Sequence, residues 1–343
     1  IDYEKCVSCG QCLVNCPFGA IADKSQIFQV IMAINAGDEV IAEVAPAFVG
    51  QFGGKGNVDK LREAFKQLGF SGMEEVALGA DLCTIQESED FLEEVPEKIP
   101  FMGTSCCPAW SVMAKKEFPK NADCISMALT PMTLTARLIR KQHPNAKIVF
   151  VGPCSAKKLE AMRESVRSEV DFVLTFEEMA GMMSAKQIDY TKLAGEGGDF
   201  DVASADGRGF AVAGGVATAV ANAIHKRYPE REVKVANAEG LEECRKLMKD
   251  AVKGKYDGYL LEGMACPGGC VAGAGTLTAV NKTAAAVKRY AKTSPRKNAT
   301  ENAYRMLIPA LERDADGKHA ADIDEVAETF EAATPASQNQ DTE

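Results

Sequence analysis

The chain has 343 residues, 46% apolar and 26% charged, with a formal charge of -10. That length suggests about two domains and enough chain to bury a core, and the acidic balance argues against a nucleic-acid partner. No run of about 18 apolar residues is present, which argues against membrane insertion, and the opening IDYEKCVSCG lacks the apolar core of a secretion signal, so the expected compartment is cytoplasmic.

In chain order, residues 1–36 are dense in cysteine and too few to bury a core of their own. From residue 37 strands alternate with helices. VIAEVA (40–45) is a β-branched apolar run and reads as a strand, and VDKLREAFKQLGF (58–70) has the helical period. QESEDFLEE (86–94) reads as helical, IPFM (99–102) as a strand and PAWSVMAKKEF (108–118) as a helix. AKIVFVG (146–152) is a strand, followed by a helix through AKKLEAMRES (156–165). DFVLTF (171–176), VKVANA (233–238) and YDGYLLE (256–262) are further strands, with helices over 213–227 and 240–253. This alternation predicts an α/β fold with mainly parallel sheets over residues 37–292. Residues 293–343 read as a polar tail, helical in places, whose end (333–343) has too little apolar content to order. GQFGGKG (50–56) has the wrong spacing for a phosphate loop and reads as a flexible loop.

Twelve cysteines stand out against three histidines (His143, His225, His319), none of which lies near a cysteine cluster. A cysteine-only ligand set favours iron–sulfur clusters over zinc. Cys6, Cys9, Cys12 and Cys16 follow the spacing Cys-x2-Cys-x2-Cys-x3-Cys-Pro, the bacterial ferredoxin signature of a 4Fe–4S cluster. In two-cluster ferredoxins the fourth cysteine of such a run ligates the other cluster. Only one run is present and the chain lacks an initiator Met. The favoured expectation is that Cys16 serves a second cluster whose other ligands lie upstream of Ile1. The alternative is a remote cysteine completing the first cluster.

Three more cysteine motifs follow predicted strands: TSCCPAW (104–110) with Cys106 and Cys107, GPCSAKKLE (152–160) with Cys154, and EGMACPGGCVAGAG (262–275) with Cys266 and Cys270. Ligand sites in open α/β sheets form outside the carboxyl ends of strands, so the three motifs can converge on one site and supply four thiolates to one cubane. Gly268 and Gly269 are expected to let the backbone approach an inorganic core.

Over roughly residues 1–290 these segments, in this order and after a ferredoxin run, resemble the active-site signatures of the iron-only (FeFe) hydrogenases. The resemblance implies a two-lobed H-cluster domain preceded by a small ferredoxin-like segment. It also implies an H-cluster: a 4Fe–4S cubane joined by one cysteine sulfur to a diiron subsite with CO, cyanide and a dithiolate amine. By motif position, Cys107, Cys154, Cys266 and Cys270 resemble the cubane ligands, with Cys270 as the bridge. Cys106 resembles the proton-transfer thiol and Lys157 the lysine that bonds a cyanide, an arrangement in which an ammonium faces an anion. Met264 and Phe210 resemble pocket residues shielding the diiron unit. Glu87 and Asp90, three apart on one helix face, and Ser126 resemble the family's proton relay to Cys106. Glu160, one turn past Lys157, is expected to orient the local network rather than carry protons.

Several positions depart from the familiar pattern. Gly152 stands where a methionine is usual, Ala47 where a serine is usual near a cyanide, and Glu94 where the outer relay has arginine; Leu129 and Met132 replace polar residues. These changes remove bulk and hydrogen bonds around the diiron unit, so redox tuning is expected to differ. The function implied is reversible reduction of protons to H2, with electrons relayed through a 4Fe–4S cluster from a ferredoxin or similar redox protein, and with maturation proteins supplying the diiron subsite. Three alternatives are a low-turnover hydrogen sensor, an iron–sulfur assembly protein without the diiron subsite, and a plain electron carrier. The pair Cys106–Cys107 argues against the assembly reading. Cys83, Cys124 and Cys244 are expected to be buried structural thiols.

Overall fold

The computed structural model describes residues 1–2, 4–53, 58–163, 166–195 and 202–311. The polar end at 333–343, most of the tail before it, the tip of the GQFGGKG loop and the end of the helix predicted through 165 lie outside these residues.

The elements in chain order are α1 (Gln11–Val14), α2 (Ile27–Ala36), β1 (Val40–Val44), α3 (Val58–Leu68), β2 (Gly72–Glu75), α4 (Ala77–Glu94), β3 (Met102–Gly103), α5 (Pro108–Glu117), α6 (Pro131–Gln142), β4 (Lys147–Gly152) and α7 (Ser155–Ala161). They continue with β5 (Phe172–Thr175), α8 (Phe176–Ala185), α9 (Ala205–Gly209), α10 (Gly215–Arg227), β6 (Lys234–Glu239), α11 (Leu241–Ala251), β7 (Tyr259–Met264), α12 (Val280–Thr293) and α13 (Ile308–Leu311). Two sheets organise them, one in the order β2-β1-β4-β5 and one in the order β3-β7-β6, and every strand pair is parallel. The mainly parallel α/β architecture expected from the alternating pattern is therefore present. Helices cover the sheets on both faces, which is why β1, Val-Ile-Ala-Glu-Val, is buried at all five positions. Among the described residues no helix is long and apolar enough to cross a membrane.

The largest element, α4, is buried along 13 of its 18 residues and packs against α6, α9 and α10. It carries Glu87 and Asp90. A helix this enclosed lacks a clear amphipathic stripe, so only its polar second half stood out in the sequence.

Strand β2, Gly-Met-Glu-Glu, was not anticipated, because two glutamates and a glycine carry no strand signal. Its last residue is held by an ion pair instead. Arg208, 2% exposed, donates to Glu75 through Nε (3.2 Å) and Nη2 (2.9 Å), stacks 4.2 Å over the Tyr290 ring, and Tyr290 Oη donates to Glu75 at 2.9 Å. This network ties β2, α9 and α12 together. Removing one partner of a buried ion pair leaves the other charge uncompensated, so Arg208→Ala is expected to destabilise the fold by about 3–5 kcal/mol. Urea denaturation of the variant against wild type checks this.

Helices α2, α6, α8 and α12 also went unread. For α8 the signal was in the sequence: Thr175 and Glu178 form a reciprocal capping box. The strand expected at 99–102 shrinks to Met102–Gly103, and that at 256–262 shifts to Tyr259–Met264.

Candidate active site

Four strands deliver residues to one place. Beyond β1 come Ala45 and Pro46; beyond β3, Cys106 and Cys107; beyond β4, Pro153 and Cys154; and beyond β7, Ala265 and Cys266. All of these line a single cavity between the two sheets, together with Lys157, Phe210, Met264 and Cys270. The cavity lies at the carboxyl ends of the strands, where open α/β sheets form ligand sites.

The turn that carries Cys106 and Cys107 is fixed from two sides. Trp110, fully buried, donates Nε1–H to the carbonyl of Thr104 at 3.0 Å. Ser105 donates its backbone N–H (2.6 Å) and its hydroxyl (3.0 Å) to Oε1 of Glu87. Pro108 opens α5, so Cys107 takes the N-cap position; Cys154 takes the same position on α7. The backbone N–H groups of Ala265, Trp110 and Ala109 bond the Cys107 sulfur, and those of Lys157 and Ala156 bond the Cys154 sulfur. Such donors stabilise thiolates.

Against this, burial disfavours the charged form. It is the first cause pushing Cys154 up to about 11 and Cys270 up to about 12, and it also raises Cys107 and Cys266; for all but Cys107, a neighbouring thiol is the next cause. Cys107 and the three thiols raised by their neighbours face a common space and require a strongly cationic centre to become ligands. The thiols frame a common volume, and an all-cysteine ligand set suits an iron–sulfur core.

Lys157 is buried and bonds Oε2 of Glu160 at 2.6 Å and the hydroxyl of Thr130 at 3.1 Å; Thr130 donates to Oε1 of Glu160 at 2.7 Å. The pairing with Glu160 keeps Lys157 cationic despite burial.

Glu87 is fully buried, and Oε2 has no hydrogen-bond partner among the described residues. Burial pushes its carboxyl up to about 7, opposed by the Ser105 donors and reinforced by Asp90. Folding therefore binds a proton here, and the associated stability is lost as pH rises from the ordinary carboxyl range to about 7. Glu87→Gln, which keeps a carbonyl acceptor for Ser105, is expected to remove that loss. Between about pH 4.3 and 7 its stability should gain on wild type by roughly 1.4 kcal/mol per pH unit, as read by urea denaturation across pH.

Other expected site residues are placed less simply. Ser126 donates its N–H to the carbonyl of Gly103 at 2.8 Å, and its hydroxyl accepts from the N–H of Ala128 at 3.1 Å. Asp90 lies half-buried on α4, within electrostatic reach of Glu87. Ala47 and Gly152 are not on the cavity wall. Ala47 is fully buried in the core one residue past Pro46. A Cβ at Gly152 would meet the Phe150 ring at 2.5 Å, and Phe150 itself lines the cavity. The space expected at Gly152 is thus filled from two residues away. Gly269 lines the cavity, and protein packing adds a second reason for both glycines: a Cβ at Gly269 (φ 91°) would strike the Ala213 nitrogen at 2.5 Å and one at Gly268 (φ 102°) would meet Val280 at 2.6 Å.

Cys124 and Cys244 are buried as expected. Cys83 is buried too, one helical turn before Glu87, and its thiol and that of Cys106 act on each other electrostatically within reach of Glu87. Its i, i+4 spacing from Glu87 was the available signal.

The N-terminal loop adjoins the cavity. Ser8 (φ 55°) and Gly10 (φ 78°) turn it tightly, and the N–H of Ser8 bonds the Cys6 sulfur at 3.4 Å. Cys9 packs against the apolar cluster that includes Cys107 and Cys154, and it acts electrostatically on Cys266. Cys16 is held differently: the N–H of Ala20 bonds its sulfur at 3.3 Å and lowers its pKa.

An all-parallel α/β scaffold with a cysteine-lined cavity between its sheets, fed by a ferredoxin-type loop, defines an iron–sulfur protein of the hydrogenase type. The family model for the iron only hydrogenase large subunit, C-terminal domain, matches residues 38–274, and that for a 4Fe-4S binding domain matches residues 1–22. The chain belongs to the iron-only hydrogenase family, and 4Fe–4S clusters are its cofactors. It is 28% identical over 326 residues to the NADP-reducing hydrogenase subunit HndD of Solidesulfovibrio fructosivorans, covering 79% of this chain and 55% of that protein. It is 29% identical to iron hydrogenase 1 of Clostridium pasteurianum, covering 76% and 54%. The chain thus spans about half the length of these relatives. The cytosolic Fe-S cluster assembly factor NAR1 of Debaryomyces hansenii is 32% identical over 142 residues, 36% of this chain and 26% of that protein. A solved structure of the FeFe-hydrogenase HydA1 from Chlamydomonas reinhardtii shares the fold, with a TM-score of 0.68 at 21% identity, covering 87% of this chain and 96% of that one.

Proposed function

We propose that this chain reversibly reduces protons to H2 at an H-cluster in the cavity, with electrons entering through the N-terminal 4Fe–4S cluster from a ferredoxin or similar redox protein. The observation that carries the reading is Cys106 on the wall of a cavity that also holds Cys107, Cys154, Cys266, Cys270 and Lys157. Cys107, Cys154, Cys266 and Cys270 would hold the cubane, and Cys270 would share its sulfur with the diiron subsite that maturation proteins insert. When bound, the diiron unit supplies the hydrogen chemistry.

The chain's own residues do the rest. Lys157 offers an ammonium to an anionic ligand. Met264, Phe210, Met132 and Phe150 line the cavity and exclude water. Burial holds the Cys106 thiol in its protonated form, reinforced by the Glu87 charge, so that it carries a proton to give. Glu87, at about 7, can take and return a proton near neutral pH. Asp90 and Ser126 form the outer part of this relay. The closeness of Cys9 to the cavity thiols supports a short path for electrons.

A second reading, an iron–sulfur assembly protein without the diiron subsite, is favoured by the stretch shared with the assembly factor NAR1. Isotope exchange distinguishes them. The anaerobic protein loaded with clusters and a synthetic diiron cofactor should form HD from H2 in heavy water. Absence of exchange in fully loaded protein would move the assignment to assembly.

A further inference from the structure

The interior strand β1 carries one carboxyl. Glu43 is fully buried, and neither of its oxygens has a hydrogen-bond partner among the described residues. Two residues on, just past the end of β1, Ala45 lines the cavity. In the sheet Glu43 is flanked by Phe150 of β4, which also lines the cavity, and by Glu74 of β2.

The charged groups around it can be named. Lys157 and Glu160 of α7 act on Glu43 with opposite sign. Glu74 is itself pushed up to about 7 by burial, with Arg62 of α3 and Glu75 of β2 acting on it. On the α6 side Thr130 and Thr133 are uncharged, and Arg137 is taken up by the carbonyls of Leu311, Val166 and Arg167. An ionised Glu43 would be a buried charge without a hydrogen bond, which is heavily disfavoured, so the resting group is the neutral acid.

Lys157 has three N–H donors. Glu160 and Thr130 engage two of them, and the side chain lines the cavity. We propose that Glu43 is a positioning residue for Lys157: as the neutral acid it leaves the third N–H to an anionic group in the cavity, and once ionised it draws that N–H away. Only the O–H bond of Glu43 breaks, and its proton leaves to solvent. The proposal extends the reading of the cavity as an H-cluster site, in which the anionic group is a cyanide ligand.

Infrared spectra of the full chain, loaded with clusters and a synthetic diiron cofactor, test it across pH. Wild type should show a carboxylic-acid C=O band that disappears as pH rises, with cyanide bands shifting over the same interval. Glu43→Gln, a neutral replacement of the same shape, should lack that band, while the bands of buried acids such as Glu87 and Glu74 persist, and its cyanide bands should shift less with pH than those of wild type. A carboxylic-acid spectrum that Glu43→Gln leaves unchanged, or cyanide bands that shift equally in both proteins, would overturn the proposal. If neither protein shows cyanide bands, the hydrogenase reading fails, and the cubane midpoint potential decides this one. A potential that falls more steeply with pH in wild type than in Glu43→Gln sustains the role for Glu43; equal slopes overturn it.

Discussion

Cys106→Ala is expected to lower hydrogen turnover by about 10²–10⁴-fold, the usual contribution of a positioned proton-transfer group, and to leave the cofactors bound. The reason is geometric. Cys106 lies on the cavity wall, while the backbone of its turn is held by Trp110 and by Glu87 acting through Ser105. Removing one sulfur therefore leaves the turn and the neighbouring Cys107 in place. Electron paramagnetic resonance of the variant should show unchanged cubane signals alongside the lost rate. Wild-type turnover in Cys106→Ala would remove the thiol from the relay.

Cys154→Ala is expected to have the larger structural consequence for the cofactor: loss of the cavity cubane, and with it all turnover. Cys154 occupies the N-cap of α7, where two backbone N–H groups bond its sulfur. Alanine supplies neither the sulfur nor an acceptor for those donors. The N-terminal cluster should survive, because Cys6, Cys9, Cys12 and Cys16 lie on a separate loop. Iron content and resonance spectra would then report one cluster type fewer. A full complement of clusters in Cys154→Ala would show that Cys154 is not a ligand.

Much of the site was legible because its spacings are local. The ferredoxin run, the paired Cys106–Cys107 and the CPGGC loop each sit in a short segment after a strand, and a strand's carboxyl end is a predictable place for a ligand. What could not be read is which side chain fills which space. Gly152 suggested an opening, but Phe150 reaches the same space from the neighbouring position on its strand. Ala47 is placed near the site by its resemblance to the family's serine position in APAF, while Ala45 and Pro46 are the residues of that segment that line the cavity. Cys83 reads as a structural thiol because it falls in a predicted helix, and the Ser105 segment that it meets lies far along the chain. Glu43 drew no attention in an otherwise apolar strand, since one carboxyl among β-branched residues carries no motif. In the fold, β2 was missed for a related reason: its stability comes from Arg208 and Tyr290, which are remote in sequence. Long-range pairing of polar groups leaves no local trace.

The central claim is that the cavity holds an H-cluster. Infrared spectroscopy of the anaerobic protein, reconstituted with iron–sulfur clusters and a synthetic diiron cofactor, tests it most directly. The predicted result is a set of sharp CO and cyanide bands that shift when hydrogen is admitted. Intact cubane signals by electron paramagnetic resonance with no CO or cyanide bands would contradict it.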